Sequence, residues 1–223
     1  QRLFIENRLT AEPTAAVFLN LHWWIPGRLA YILGLSMMQV YQLFRVVAIL
    51  LYVGVAYWFC GLLFRDTELD RESLPQGEKR ETGGTLPTLS GLLGKRRFAF
   101  LLTTLTSGLG WIWVVHKYAT GVGELLYPHD VYTTPGNTFW VMVASPHLTF
   151  ALGLTLLVLG LALEGYRRQR FALSLVAAFL ALFLGMGHIY DLVTVWAVLG
   201  VFGVLVTLRD GFRWRTFWSL FVV

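Results

Sequence analysis

Apolar runs separated by charged stretches set the pattern of the chain. Residues 46–64, 98–115, 148–163, 171–187 and 192–208 contain no charged side chain. A helix needs roughly 17–25 such residues to cross a bilayer, and the shorter runs reach that length by drawing on their flanks. Backbone amides in lipid must find partners within their own segment, which favours helices. The pattern therefore predicts an all-α, polytopic transmembrane helix bundle of about five spans. A further apolar stretch begins at Thr216, but Val223 follows too soon for it to cross.

Residues 13–35 are apolar and aromatic too, but His22, Pro26, Gly27 and Arg28 interrupt them. Trp23, Trp24 and Tyr31 are types that favour the headgroup zone. This segment is expected to lie in the outer interface rather than to span. The resulting division is an extracytoplasmic, interfacial segment at 1–35 and a transmembrane helix at 36–64. A cytoplasmic loop at 65–97 follows, then a transmembrane bundle at 98–223 with an extracytoplasmic loop at 117–138.

Composition agrees. The chain is 56% hydrophobic and 14% charged, against about 25% charged in soluble domains. A net charge of +5 suits nucleic acid as well, but the placement of the charges argues for a membrane. Thirteen of the 18 Lys and Arg lie in the stretches 65–97, 167–170 and 209–215. Even numbers of spans separate these stretches, and basic loops stay in the cytoplasm. The N-terminus is then extracytoplasmic, and a bacterial inner (cytoplasmic) membrane is the expected location. No nucleic-acid motif is present.

Loop 65–97 nearly balances its acids and bases and is rich in Gly and Pro, so disorder is expected and no chemistry is assigned to it. The chain opens on Gln without a signal peptide and closes on "TFWSLFVV", and is expected to be a piece of a longer protein. Cys60 is the single cysteine, which excludes an internal disulfide and a multi-cysteine metal site. Ser145-Pro146 reads as a helix start, with a capping serine and proline at the first position. The pairs Gly153/Gly160 and Gly200/Gly203 each share a helix face and are expected at close helix crossings.

The candidate chemistry lies with the histidines. His22, His116, His129, His147 and His188 all fall on the side opposite the basic loops in this topology. "GHIYD" places His188 three residues before Asp191. Two readings stand for Asp191: it caps the following helix, or it orients the His188 ring. The helix dipole disfavours a cation at His147, which would sit beside free amides suited to an anion. With Arg45 at the outer end of the first span, this group could hold a phosphate. His147, His188 and Asp191 also form an acceptable metal ligand set, although no H-x-x-x-H or H-E-x-x-H motif accompanies them.

"TAEPTAAVFLNLHWWIPGRLAYILGL" followed by "VYQLFRVVAILLYVGVAYWF" resembles the region after the first outer loop of GT-C-type membrane glycosyltransferases, including the protein mannosyltransferase-like branch. "SGLGWIW", "PGNTFW", "SPHLTFALGL" and "GHIYDLVTVWAVLG" are similar to uncharacterised bacterial multi-pass proteins of that type. Where the mannosyltransferase branch has a histidine–proline pair, this chain has Pro13-Thr14. The resemblance implies sugar transfer from a polyprenyl-phosphate donor at the extracytoplasmic face. It also implies Glu12 as the catalytic carboxylate, with Arg45, His147, His188 and Asp191 around the donor phosphate. The alternative is a non-catalytic scaffold, or a cofactor- or metal-binding subunit that uses the outer-face histidines. The expected partners are membrane lipids, a polyprenyl-phosphate sugar and other membrane subunits, and the cofactor stays open.

Overall fold

A computed structural model describes residues 4–5, 18–19, 21–64, 89–105, 110–121, 137–212, 214, 220 and 223. Glu12, His129 and the loop residues 65–88 and 122–136 lie outside the described residues. The architecture is all-helical, as the sequence pattern predicts. Eight helices are described: α1 Leu21–Leu33, α2 Met37–Phe64, α3 Leu89–Leu105, α4 Gly110–Thr120, α5 Thr138–Ala144, α6 Pro146–Arg168, α7 Phe171–Gly187 and α8 Ile189–Asp210. Near the N-terminus, β1 (Phe4–Ile5) and β2 (Phe18–Leu19) pair antiparallel, Phe4 opposite Leu19.

Helices α2, α6 and α8 are long and apolar enough to cross a membrane, so the chain has the build of an integral membrane protein. α7 is apolar but has only 17 residues. The predicted span 98–115 is divided between α3 and α4, with 106–109 outside the described residues. At 13 residues, α1 is about 20 Å long, short of the roughly 30 Å hydrocarbon core.

A boundary differs from the sequence reading. Residues 89–97 were expected to end a loop, yet they form the first turns of α3. Leu89, Leu92 and Leu93 bring helix-favouring apolar side chains there, and Lys95, Arg96 and Arg97 are themselves good helix formers. Helix α2, by contrast, starts at Met37, in line with the transmembrane helix expected at 36–64, because Ser36 and Gln39 form a capping box. Ser36 Oγ accepts the Gln39 amide at 3.3 Å, and Gln39 Oε1 accepts the Ser36 amide at 2.9 Å. Two otherwise orphaned donors are satisfied there. Arg45 is thus not at the end of the span but about 12 Å inside helix α2.

The chain forms two compact units. Val53–Ser145 is one of them, and within it Arg96 lies across α2. The Arg96 guanidinium donates to the Tyr57 carbonyl from Nε and Nη2, both at 3.2 Å, and sits 3.8 Å from the centre of the Tyr57 ring. Gly61 leaves the room, since a Cβ there would lie 2.7 Å from Arg96 Cζ.

The other unit comprises Gln1–Tyr52 and Pro146–Val223. Its core is a seam of small and branched residues: Ala151, Val158 and Ala162 of α6, Ala177 and Ala181 of α7, Val195 of α8. Small residues let helix backbones approach closely where lipid offers no hydrophobic drive for helices to associate. Gly153 belongs to this scheme as expected, for its built Cβ would come within 3.3 Å of the Tyr52 Cα. Gly200 does not: no described atom lies within 4 Å of a Cβ there.

The two turns of this unit are tight. After α6, Gln169 takes φ 53° and the amides of Arg170 and Gln169 return to the carbonyls of Gly165 and Tyr166, a Schellman closure. Between α7 and α8 there is one residue, His188. Its amide donates to the Leu184 carbonyl at 2.7 Å, and its own carbonyl accepts the Asp191 amide at 3.2 Å. Gly185 permits the sharp reversal, since a Cβ there would lie 2.6 Å from Leu192 Cδ2.

Candidate functional site

All described members of the site belong to the unit built from Gln1–Tyr52 and Pro146–Val223. α6 starts at Pro146, as the Ser-Pro signal predicts, so His147 occupies its second position. His188 is fixed by its double duty as the end of α7 and the start of α8. These two positions bring the rings together: their centroids are 5.9 Å apart and their planes 23° from parallel.

Asp191 does not cap α8. His188 holds the cap position, and Asp191 falls in the first turn, where a carboxylate suits the helix dipole. Its Oδ2 lies 3.6 Å from His188 Nδ1, too far for a hydrogen bond but close enough for attraction. Asp191 thus lies beside His188 without the hydrogen bond by which it would orient the ring. Burial holds His188 below the usual histidine range, and the Asp191 carboxylate works against that shift. Two imidazolium charges 5.9 Å apart would repel by about 3 kcal/mol at an effective dielectric of 20, so the pair favours at most one proton.

The stack continues through aromatic rings that the sequence reading treated only as interface anchors, or did not single out. Trp23 of α1 lies 5.5 Å from His147, and Tyr41 of α2 lies 6.5 Å from Trp23 with the two planes parallel within 1°. Arg45, one turn on from Tyr41, places Cζ 5.4 Å from the Tyr41 ring centre. Arg45, Tyr41, Trp23, His147, His188 and Asp191 therefore form one continuous series, cationic at one end and acidic at the other.

Two nitrogens in this series stand out. Arg45 Nε and His147 Nδ1 are buried with no hydrogen-bond partner among the described residues. An unpaired buried donor costs about 1–3 kcal/mol, so each is a place where a ligand oxygen would be favourable. Arg45 lines a cavity of ≈ 510 Å³ with Trp23, Tyr41, Gln42, Met37 and Met38. A second cavity of ≈ 250 Å³ shares Pro26 and Phe44 with the first, and side chains such as Leu29, Val40, Val47 and Phe150 give it apolar walls. Both cavities have mostly apolar walls, and the larger one adds the Arg45 guanidinium and the Gln42 amide, so a ligand with a charged head and an apolar body suits them.

His116 is an exposed residue of α4, beside Trp113 in the other unit. The side chain of His22 lies outside the described residues, as do Glu12 and His129. Among the described residues no three His, Cys, Asp or Glu side chains are grouped as a metal ion would need; for His147 and His188, ring stacking sets the planes face to face. Sequence reasoning missed Glu164, buried near the end of α6 and paired with Arg168. The i,i+4 acid–base spacing was the available signal.

No family model, curated protein or solved structure matches the chain.

Proposed function

We propose that the chain acts in sugar transfer of the GT-C type, holding a polyprenyl-phosphate sugar with its phosphate at Arg45, at the head of the ring series that leads to His147. The reading places this site on the extracytoplasmic side of a bacterial cytoplasmic membrane, in keeping with the distribution of basic residues. One observation carries it: Arg45 Nε is buried without an acceptor among the described residues, inside an apolar helix and at the wall of the ≈ 510 Å³ cavity. Ionisable residues in such segments mark ligand or ion pathways, and guanidinium is suited to phosphate oxygens. The adjoining apolar cavity supports a ligand with a hydrocarbon chain.

In the reaction, an acceptor oxygen forms a bond to the anomeric carbon as the bond from that carbon to the phosphate oxygen breaks. A carboxylate takes the acceptor proton; Glu12 holds that role from the sequence resemblance. Arg45 offsets the charge that develops on the departing phosphate.

The test is binding of radiolabelled farnesyl methyl phosphate, a chain-bearing phosphate diester, to the purified protein in mild detergent. Arg45→Ala is expected to weaken binding about 10–100-fold, the worth of a charge-assisted hydrogen bond. Equal binding by wild type and variant would remove the reading.

A further inference from the structure

We infer that this site binds its anion together with one proton, held by the His147–His188 pair, so that anion affinity rises as pH falls. The inference rests on the phosphate reading of Arg45, and adds how that site is regulated.

The argument begins with the charges that meet there. Helix α2 contributes Arg45 and Tyr41, α6 contributes His147, the α7–α8 junction contributes His188, and α8 contributes Asp191; Trp23 of α1 does not titrate. With both imidazoles neutral, the guanidinium of Arg45 and the carboxylate of Asp191 cancel. A bound phosphate diester brings one negative charge into this partly buried place. Uncompensated charge in such surroundings is costly, and one proton on the imidazole pair restores neutrality.

The geometry suits a single proton. Asp191 Oδ2, 3.6 Å from His188 Nδ1, stabilises a cation on the pair, while the stacked second ring at 5.9 Å opposes a second charge. His147 Nδ1, buried without a partner among the described residues, is open to interaction with a bound anion. By linkage, an anion that raises the proton affinity of the pair is itself bound more tightly once the proton is present.

Isothermal titration of the wild-type protein in detergent tests this, with farnesyl methyl phosphate as the probe because its single charge is constant from about pH 5.5 to about pH 8. Titrations in two buffers of different ionisation enthalpy count the protons taken up. The expected result is uptake of about one proton and an affinity that rises by up to about tenfold for each pH unit of acidification. His188→Gln is expected to abolish that slope, and Asp191→Asn to move it to lower pH, with circular dichroism reporting the fold of each. Should His188→Gln fail to fold, the proton count on the wild-type protein decides alone. Binding without proton uptake and without pH dependence overturns the coupling and leaves the phosphate site standing. No binding of the probe at any pH overturns both.

Discussion

His147 and His188 stack with their ring centres 5.9 Å apart, although one opens α6 and the other is the single residue between α7 and α8. Neither position is free to drift. A helix start fixes the first, and a junction closed on both sides by backbone hydrogen bonds fixes the second. Rigid elements of this kind hold side chains more accurately than a loop would. The pair is the point where α6, α7 and α8 meet, and Trp23 joins α1 to it.

Acid should loosen this point in the ligand-free protein. His188 is held below its ordinary value of 6.5, chiefly by burial. The unfolded chain therefore binds more protons than the folded one in the window below 6.5. Stability is fully present above that pH and is lost as pH falls toward the folded value. Thermal melts in detergent from about pH 8 to about pH 5 should show a falling midpoint, and His188→Gln should flatten part of the decline. A wild-type midpoint that does not fall across this range would contradict the burial of a neutral ring.

Arg45→Leu should separate stability from function. Without a ligand, Arg45 Nε is a buried donor with no acceptor among the described residues, so an apolar replacement is expected to stabilise the protein by about 1–2 kcal/mol. The same change should abolish binding of the phosphate diester probe. A destabilised Arg45→Leu protein would show that Arg45 serves the fold, as an anchor on Tyr41.

Two glycines should respond in opposite directions. Gly153→Val places a branched side chain where even Cβ comes within 3.3 Å of the Leu51 and Tyr52 atoms, and is expected to cost about 1–3 kcal/mol. Gly200→Ala meets nothing within 4 Å and should gain up to about 1 kcal/mol from helix propensity. Melting midpoints of both variants in one detergent decide it.

Ser174 is fully buried and its Oγ has no partner among the described residues. Ser174→Ala should therefore be neutral or stabilising by about 1 kcal/mol. A clear loss of melting temperature would mean that the hydroxyl holds α6 and α7 together.

How much of this was legible beforehand varies with the kind of signal. Ser145-Pro146 marked the start of α6 because proline tolerates only the first turn of a helix. The apolar runs marked α2, α6, α7 and α8, since each had to hide its own backbone. The bounds of α2 were legible too, since the helix expected at 36–64 forms from Met37 to Phe64. Asp191 illustrates a harder limit. Both a cap and a ring partner fit its spacing, and the outcome depended on which residue left helical geometry at the α7–α8 junction.

The sequence by itself determined that the chain is a bundle of apolar helices and that Arg45, His147, His188 and Asp191 are unusual in such surroundings. It did so because hydrophobicity and helix-end chemistry act locally, within a few residues. Tertiary structure alone decided that Trp23 and Tyr41 connect Arg45 to the histidines and that His147 faces His188. Those relations depend on how α1, α2, α6, α7 and α8 pack, and close helix crossings are set by shape at positions far apart in the chain.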